Sequence, residues 1–337
     1  MFLCGLFNVK CVESMSDIKK IGVVTSGGDA SGMNATLRSV VRLAIRKGLE
    51  VLGISRGYTG LVYNEVIHME RRTVSGIINS GGTLLRTSRC EEIKTKAGLE
   101  RAKKTLEYNA VDALVVIGGE GSFRGALEIR KTSGIPVVGI PASIDNDIYG
   151  VDETIGFDSA VNVATTAIDN LRDTAYSHER MFIVEVMGRE RGFIALAVGM
   201  GSGAEYILIP EVKEDLDNIA HELKDSGRRG KRSNIIVVAE GYGSTVEIAG
   251  YLQKVTGLET RVSIIGYLQR GGTPTARSRL LAATYGSSAI GELLNGETEI
   301  VVGLQGNQIV PVPLSLAASK RKELGLDLYK LAKELSY

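Results

Sequence analysis

Asp145 and Asp147 stand two residues apart in PASIDND (141–147), directly after the apolar run 136–140. On extended backbone, alternate side chains share a face. The two carboxylates would then point the same way, one taking a proton from a hydroxyl while the other helps hold a metal. The same residues also suit an Asx turn, so the chemistry depends on what else the chain brings to them. VVTSGGDASGMNAT (23–36) runs a strand into paired glycines and then into a helix beginning near Ser31 or Gly32. Glycine lets backbone N–H groups approach an anion, and a helix N-terminus adds partial positive charge. It has no GxxxxGK[ST] spacing, so it is not a P-loop, and a tight turn without a ligand reads equally well. VVIGGEGSFRGA (115–126) repeats the design with Glu120 inside the glycine turn. An acid among phosphate-cradling glycines fits a bridging Mg²⁺, which takes one or two carboxylates plus phosphate oxygens; an acid in the first turn of a helix is the alternative.

Arginines complete the set. Arg189 and Arg191 lie in VEVMGRERG (184–192), Arg270 precedes two glycines in GYLQRGGTP (266–274), and Arg89 and Arg180 lie in LLRTSRC and SHERM. A single arginine is usually solvated. Several beside strand ends point to a polyanion, because guanidinium pairs with phosphate bidentately. Glycine cradles, acids for a metal and arginines together fit phosphoryl transfer, which needs positioning and charge neutralisation more than a covalent nucleophile.

The elements that must position these groups are legible as apolar runs: IGVV (21–24), VLGI (51–54), ALVVI (113–117), PVVGI (136–140), FIVEV (182–186), YILI (206–209), NIIVV (234–238), VSIIG (262–266) and IVVG (300–303). Continuous apolar runs suit strands buried on both faces of a parallel sheet. Between them, Met33, Leu37, Val40, Val41, Ala44 and Ile45 fall on one helical face, as do Val161, Ala164, Ala167, Ile168 and Leu171. Strands alternating with helices predict an α/β fold of doubly wound, mostly parallel sheets. Glycines at the strand ends mark where such sheets bind ligands. GMGSGA (199–204) lies between a helical stretch and a strand, the reverse of a dinucleotide fingerprint, and reads as a helix C-terminus.

Composition narrows the classes. At 337 residues, about two domains of ordinary size are expected. The net charge of +1 gives no global case for nucleic acid, and with no Trp and 5% aromatics a stacking platform for single strands is not expected. Cys4, Cys11 and Cys90 are odd in number and lack metal spacing, which fits a reducing cytoplasm. No apolar run reaches the ~18–20 residues of a membrane span. The N-terminal MFLCGLFNVKCVESMSD lacks a basic leading region and is read as an extension, disordered or preceding a start at Met15, not as a signal peptide.

TSGGDASGMN, GGEGSFRGA, PASIDND, VEVMGRERG and GYLQRGG, in this order and spacing, closely resemble the 6-phosphofructokinases of the bacterial ATP-dependent type over roughly residues 18–337. The resemblance implies two domains, 18–156 with 269–319 for the nucleotide and 157–268 with 320–337 for fructose 6-phosphate, preceded by the extension 1–17, with the active site in the cleft between them. It implies Mg²⁺ and ATP, and fructose 1,6-bisphosphate and ADP as products. Asp145 would be the general base toward the 1-hydroxyl of fructose 6-phosphate, supported by Ser143 and by Asp147, which with Glu120 would lie near the metal. Gly28, Tyr58, Arg89, Gly119, Gly121, Ser122 and Gly125 would line the nucleotide, Arg89 bridging the transferring group and Arg189 stabilising its transition state. Met187, Gly188 and Glu240 would contact the sugar, Arg270 and Tyr267 its phosphate, and Arg180 and Arg261 would reach that phosphate from a neighbouring subunit of a homotetramer. A regulatory site for ADP or phosphoenolpyruvate would use Arg38, Arg42, Arg71, Arg172, Gly203, Glu205, Arg229 and Lys231, although GRRGKR (227–232) by itself is an ordinary solvated charge run.

This chain departs from the family pattern in places. Glu120 stands where many relatives have Asp, one methylene shorter. Tyr267 stands where His is common; it can donate to a phosphate but cannot become cationic near neutral pH. Ser31 replaces a common Pro and is expected to cap the following helix. Ser233 replaces a basic residue of the regulatory site. Pyrophosphate-using relatives carry Asp after the GGD or GGE and Lys in a PKTIDND motif; Gly121 and Ala142 here leave room for a nucleotide and favour ATP. A pyrophosphate-dependent enzyme and a catalytically weak regulatory homologue are the alternatives. A dehydrogenase is disfavoured because no GxGxxG follows a strand.

Overall fold

In the computed structural model, which describes residues 18–336, strands and helices alternate along the chain. The expectations for residues 1–17 lie outside the described residues. The strands are β1 (Lys20–Thr25), β2 (Glu50–Ile54), β3 (Val66–His68), β4 (Ala113–Gly118), β5 (Val137–Ser143), β6 (Ile155–Gly156), β7 (Met181–Val186), β8 (Tyr206–Leu208), β9 (Asn234–Ala239), β10 (Thr260–Ile264), β11 (Ile300–Gln305) and β12 (Gln308–Pro313). They form two sheets. The larger runs β12-β11-β5-β4-β1-β2-β3, with β6 beside β5; the smaller runs β10-β7-β9-β8. Neighbours are parallel except β3 against β2 and β12 against β11 at the two edges of the larger sheet. The fold is α/β with mostly parallel sheets.

All nine apolar runs form strands. β10 stops at Ile264, because Ile265 and Gly266 turn into a 3₁₀ segment, Gly266–Arg270. The buried faces of the two anticipated helices are in place. Met33, Leu37, Val40, Val41 and Ala44 of the helix Met33–Arg46 and Ala164 and Ile168 of the helix Phe157–His178 are buried, while Ile45, Val161, Ala167 and Leu171 are partly buried against the same core. GMGSGA ends the helix Phe193–Ser202: Gly203 is left-handed at φ 63°, and the Ala204 amide closes on the Gly199 carbonyl. Ser31 is not a cap. The residue before Met33 is Gly32 at φ 119°, and the buried Ser31 hydroxyl faces the carbonyls of Gly271 and Gly272, each at 2.9 Å. It ties the first glycine turn to the GYLQRGG loop instead.

Sheet order puts the glycine turns together. β1 lies between β2 and β4, and β4 between β1 and β5, so the chain leaves β1 and β4 toward opposite sides. In open α/β sheets a crevice opens at the carboxyl ends where the order reverses this way. Register makes it exact at the edge: Thr25 sits beside Ile117, and Gly118 beside Pro141. In the smaller sheet, Val186 of β7 sits beside Ala239 of β9, so Met187 and Glu240 leave one edge together. Val184 and Val186 belong to the same continuous apolar core as β1, β4 and β5, while Ile183 and Val238 pack in a second core on the other face.

Candidate active site

A cleft of about 670 Å³ lies at the carboxyl edge of the larger sheet, and Arg189, from beyond β7, and Arg270, from beyond β10, also line it. Gly28, Tyr58, Arg89, Gly119, Glu120, Gly121, Ser122, Gly125, Ser143, Asp145, Asp147, Arg189 and Arg270 all line it. Residues from five separate motifs therefore converge on one space.

Asp145 and Asp147 reach the cleft from a turn, not from extended backbone. β5 ends at Ser143, whose hydroxyl accepts the Asp145 amide at 3.2 Å, and Asn146 is left-handed at φ 53°. Asn146 fixes the turn through its side chain: Nδ2 donates to the Asp152 carbonyl at 3.1 Å, and Oδ1 accepts the Thr154 amide at 3.0 Å. Asparagine is among the residues that tolerate this backbone region. Asp145 is 3% exposed. Its Oδ2 lies 3.1 Å from Arg189 Nε, while Oδ1 is buried with no partner among the described residues. Burial pushes its pKa up to about 6, with Asp147 and Glu240 adding to the rise and Arg189 and Arg270 opposing it. A carboxylate in this state is poised to accept a proton near neutral pH.

Arg189 sits in its own strained loop. It is left-handed at φ 53° after Gly188 at φ 142°. Glu240 Oε1 secures it, accepting the Gly188 amide at 3.1 Å and the Arg189 amide at 2.6 Å. Met187 is held by a residue that the sequence did not flag: buried Gln269, whose Oε1 accepts the Met187 amide at 2.8 Å. Arg270 packs against Gly28; a Cβ there would come 2.8 Å from its Nη1. Its guanidinium also stacks 5.5 Å from the Tyr267 ring centroid. Tyr267 thus works through a cation–π contact available to any aromatic ring.

The second glycine turn builds the opposite wall. Gly119 precedes the helix Glu120–Ser133, and Glu120 is both its first residue and a cleft residue, so the two readings of this acid coexist. The Tyr58 hydroxyl bonds the Ser122 carbonyl, and its ring lies where a Cβ on Gly125 would approach within 2.5 Å. Gly121 has no neighbour within 4 Å of a built Cβ, and Ala142 also lines the cleft. Arg124 was missed: it lines the cleft 3.4 Å from Glu120. Its i, i+4 spacing from Glu120 was the available signal. Glu120 and Asp147 supply oxygen donors on one cleft with space for phosphates, and this donor set fits Mg²⁺ carried on a nucleotide.

Several anticipated residues lie elsewhere in the chain. Arg180 and Arg261 both pair with Glu259, Arg180 Nε at 3.0 Å, and hold that carboxyl below its usual range. Arg180 precedes β7 and Arg261 is early in β10, so they occupy the amino edge of the smaller sheet. Across a six-residue strand that edge is about 17 Å from the Arg189 edge. Lys231 lies 2.8 Å and Arg172 3.8 Å from Glu205 on the same amino edge, with Arg172 also donating to the Gly203 carbonyl at 2.9 Å. Arg229 is exposed nearby in sequence. Arg38 and Arg42 are on the helix Met33–Arg46, Arg42 with a buried Nε that has no partner among the described residues, and Arg71 is exposed in a loop. No hydrogen bond or ion pair among the described residues joins these three to the Glu205 group.

The phosphofructokinase family profile matches residues 20–293. The chain is 51% identical to the ATP-dependent 6-phosphofructokinase of Thermotoga neapolitana over 319 residues, covering 95% of this chain and 100% of the relative. It is 50% identical to that of Halothermothrix orenii over 331 residues, with the same coverage. Among solved structures it superposes on Pichia pastoris phosphofructokinase in the T-state with a TM-score of 0.84 at 36% identity, covering 90% of this chain and 36% of the yeast chain. A pyrophosphate-dependent phosphofructokinase from Marinobacter aquaeolei shares the fold, with a TM-score of 0.82 at 22% identity. The chain belongs to the phosphofructokinase family.

Proposed function

We propose that the protein is an ATP-dependent 6-phosphofructokinase of glycolysis, transferring the ATP γ-phosphoryl to the 1-hydroxyl of fructose 6-phosphate. The observation that carries the reading is Asp145: a buried carboxylate with one oxygen on Arg189 and the other without a partner among the described residues. Its free Oδ1 takes the hydroxyl proton, O1 of the sugar attacks the γ-phosphorus, and the bond to the β–γ bridging oxygen breaks to release ADP. Ser143 and Asn146 hold Asp145 in place. Arg89 and Arg189 face the charge that builds on the transferring group. Gly28, Gly119, Gly121, Ser122, Gly125 and Tyr58 line the nucleotide, and Met187, Gly188, Glu240, Arg270 and Tyr267 the sugar phosphate. Glu120 and Asp147 would hold Mg²⁺, which when bound offsets charge on the phosphate oxygens. On this reading the chain has two domains, 18–156 with 269–319 and 157–268 with 320–337. The same reading makes the enzyme cytoplasmic, without membrane or nucleic-acid partners; no helix among the described residues is long and apolar enough to cross a membrane.

The test is formation of fructose 1,6-bisphosphate from fructose 6-phosphate with Mg²⁺ and either ATP or pyrophosphate. Turnover with ATP is expected. Turnover with pyrophosphate alone overturns the donor, and no turnover despite nucleotide binding makes the chain a regulatory homologue.

The reading includes a homotetramer in which Arg180 and Arg261 serve a neighbour's 6-phosphate site. Two features support it. These arginines sit at the wrong edge for their own cleft, and β10 is an edge strand with Val262 36% and Ile264 57% exposed. Asp145→Asn and Arg261→Ala subunits, each weak alone, are then expected to complement when refolded together. Random 1:1 mixing restores about a quarter of the sites; no recovery in assembled mixtures contradicts site sharing. ADP or phosphoenolpyruvate as effector belongs to the same reading, at a site built from Arg172, Gly203, Glu205, Arg229 and Lys231 of one chain with Arg38, Arg42 and Arg71.

A further inference from the structure

The segment 320–323 crosses behind the Asp145 turn and has no part in the chemistry above. Arg321 forms an antiparallel bridge with Ile148, the residue after Asp147. Its guanidinium lies 3.2 Å from Glu190, the residue after Arg189. That ion pair is exposed and worth little by itself. Lys322 is different. It is half-buried, and Nζ donates to the Asp152 carbonyl at 2.8 Å. Nζ also sits 4.9 Å from the centroid of Phe193, the first residue of the helix that follows the Arg189 loop. Fixing a long lysine side chain in this way costs rotamer entropy, so the geometry must be held by its contacts.

The Asp152 carbonyl is shared. It accepts from Lys322 and also from Nδ2 of Asn146, the residue between the two acids. A carbonyl has two lone pairs, so both bonds can form at once. Asn146 is in the left-handed region, a conformation that persists where surrounding contacts over-determine it. Those contacts are Asp152, Thr154 and, one step back, Lys322. Burial lowers the lysine's pKa to about 8, against the pull of Asp152, Asp147 and Glu153.

We infer that Lys322 is a positioning residue for phosphoryl transfer: it fixes the carbonyl that holds Asn146, and by seating on Phe193 it keeps the Asp145 turn and the Arg189 loop at one spacing. The inference rests on Asp145 being the base.

Lys322→Met keeps an unbranched apolar stem without the ammonium, and Lys322→Arg keeps a donor. The Met variant is expected to lose about 10–100-fold in kcat, the cost of an ångström-scale misplacement, with KM for ATP within about twofold of wild type. The Arg variant should recover to within about threefold of wild type. Hydrogen exchange over residues 144–156 should rise in the Met variant and not in the Arg variant. Wild-type kcat in the Met variant overturns the inference. So does equal loss in both variants with a general fall in melting temperature, which is a purely structural role. Asp145→Asn is measured beside them: full activity there removes the base reading, and with it the catalytic role of Lys322, whereas the exchange result separately decides whether Lys322 holds the turn.

Discussion

Asp145→Asn is expected to lower kcat by about 10³-fold, within the ~10²–10⁴ range of a lost general base, while ATP still binds. Asn fills the same space and still faces Arg189, but its amide cannot take the hydroxyl proton. The same change should stabilise the fold. The pKa of Asp145 rises from 3.8 to about 6 because its charge is buried. At about 1.4 kcal/mol per pH unit, that gap is at most about 3 kcal/mol. A raised carboxyl pKa leaves stability intact below the unfolded value and loses it as pH rises through the folded value. The cost is thus absent near pH 4, grows to pH 6 and is complete above it. Asn does not carry this cost, so denaturant titrations should find the variant more stable by about 1–3 kcal/mol at pH 8, with the difference shrinking toward pH 4. A variant that is inactive but less stable at pH 8 would mean that the fold, not the base, was lost.

Arg189→Leu is the second large effect. The Arg189 side chain is 60% exposed, which leaves it open to a ligand, yet its backbone is held by Glu240. Removing one such stabiliser of developing charge costs about 10²–10³-fold in kcat. It also removes the leading cation that opposes the rise in the Asp145 pKa. The base then holds its proton to higher pH, so the acidic limb of kcat/KM should move upward. A lower rate with an unmoved limb would separate Arg189 from Asp145.

Most strands legible in the sequence are well buried; β10, read from its apolar run, is the exception, an edge strand that is largely exposed. β1, β4, β5 and β9 are fully or almost fully buried, and their continuous apolar runs leave no other reading. β12 is not among the nine apolar runs; it carries Pro311 and Pro313 and is an edge strand, where proline is tolerated. β3 has three residues, too few for a pattern. Spacing brought Asp145 and Asp147 to notice but could not reveal the left-handed Asn146 that aims them, because alternation and a turn place acids two apart equally well. Gln269 gave no signal at all: a glutamine's burial at a loop junction is set by tertiary packing. Arg180 was grouped with arginines beside strand ends and Arg261 was named only through the resemblance, and nothing in their spacing tells that both occupy the amino edge of the smaller sheet. Ser31 was assigned the role its residue type favours, and the Gly271 and Gly272 carbonyls competed for its hydroxyl and won.

The central claim is that a buried carboxylate at Asp145, deprotonated above about pH 6, is the base. The most direct measurement is the pH dependence of kcat/KM with fructose 6-phosphate and saturating ATP for wild type and Asp145→Asn. The substrate phosphate itself takes up a proton near pH ~6, so the variant's residual rate supplies the reference. The expected result is a wild-type acidic limb near pH 6 that is steeper than the variant's by one proton. Identical limbs in the two proteins would contradict the account.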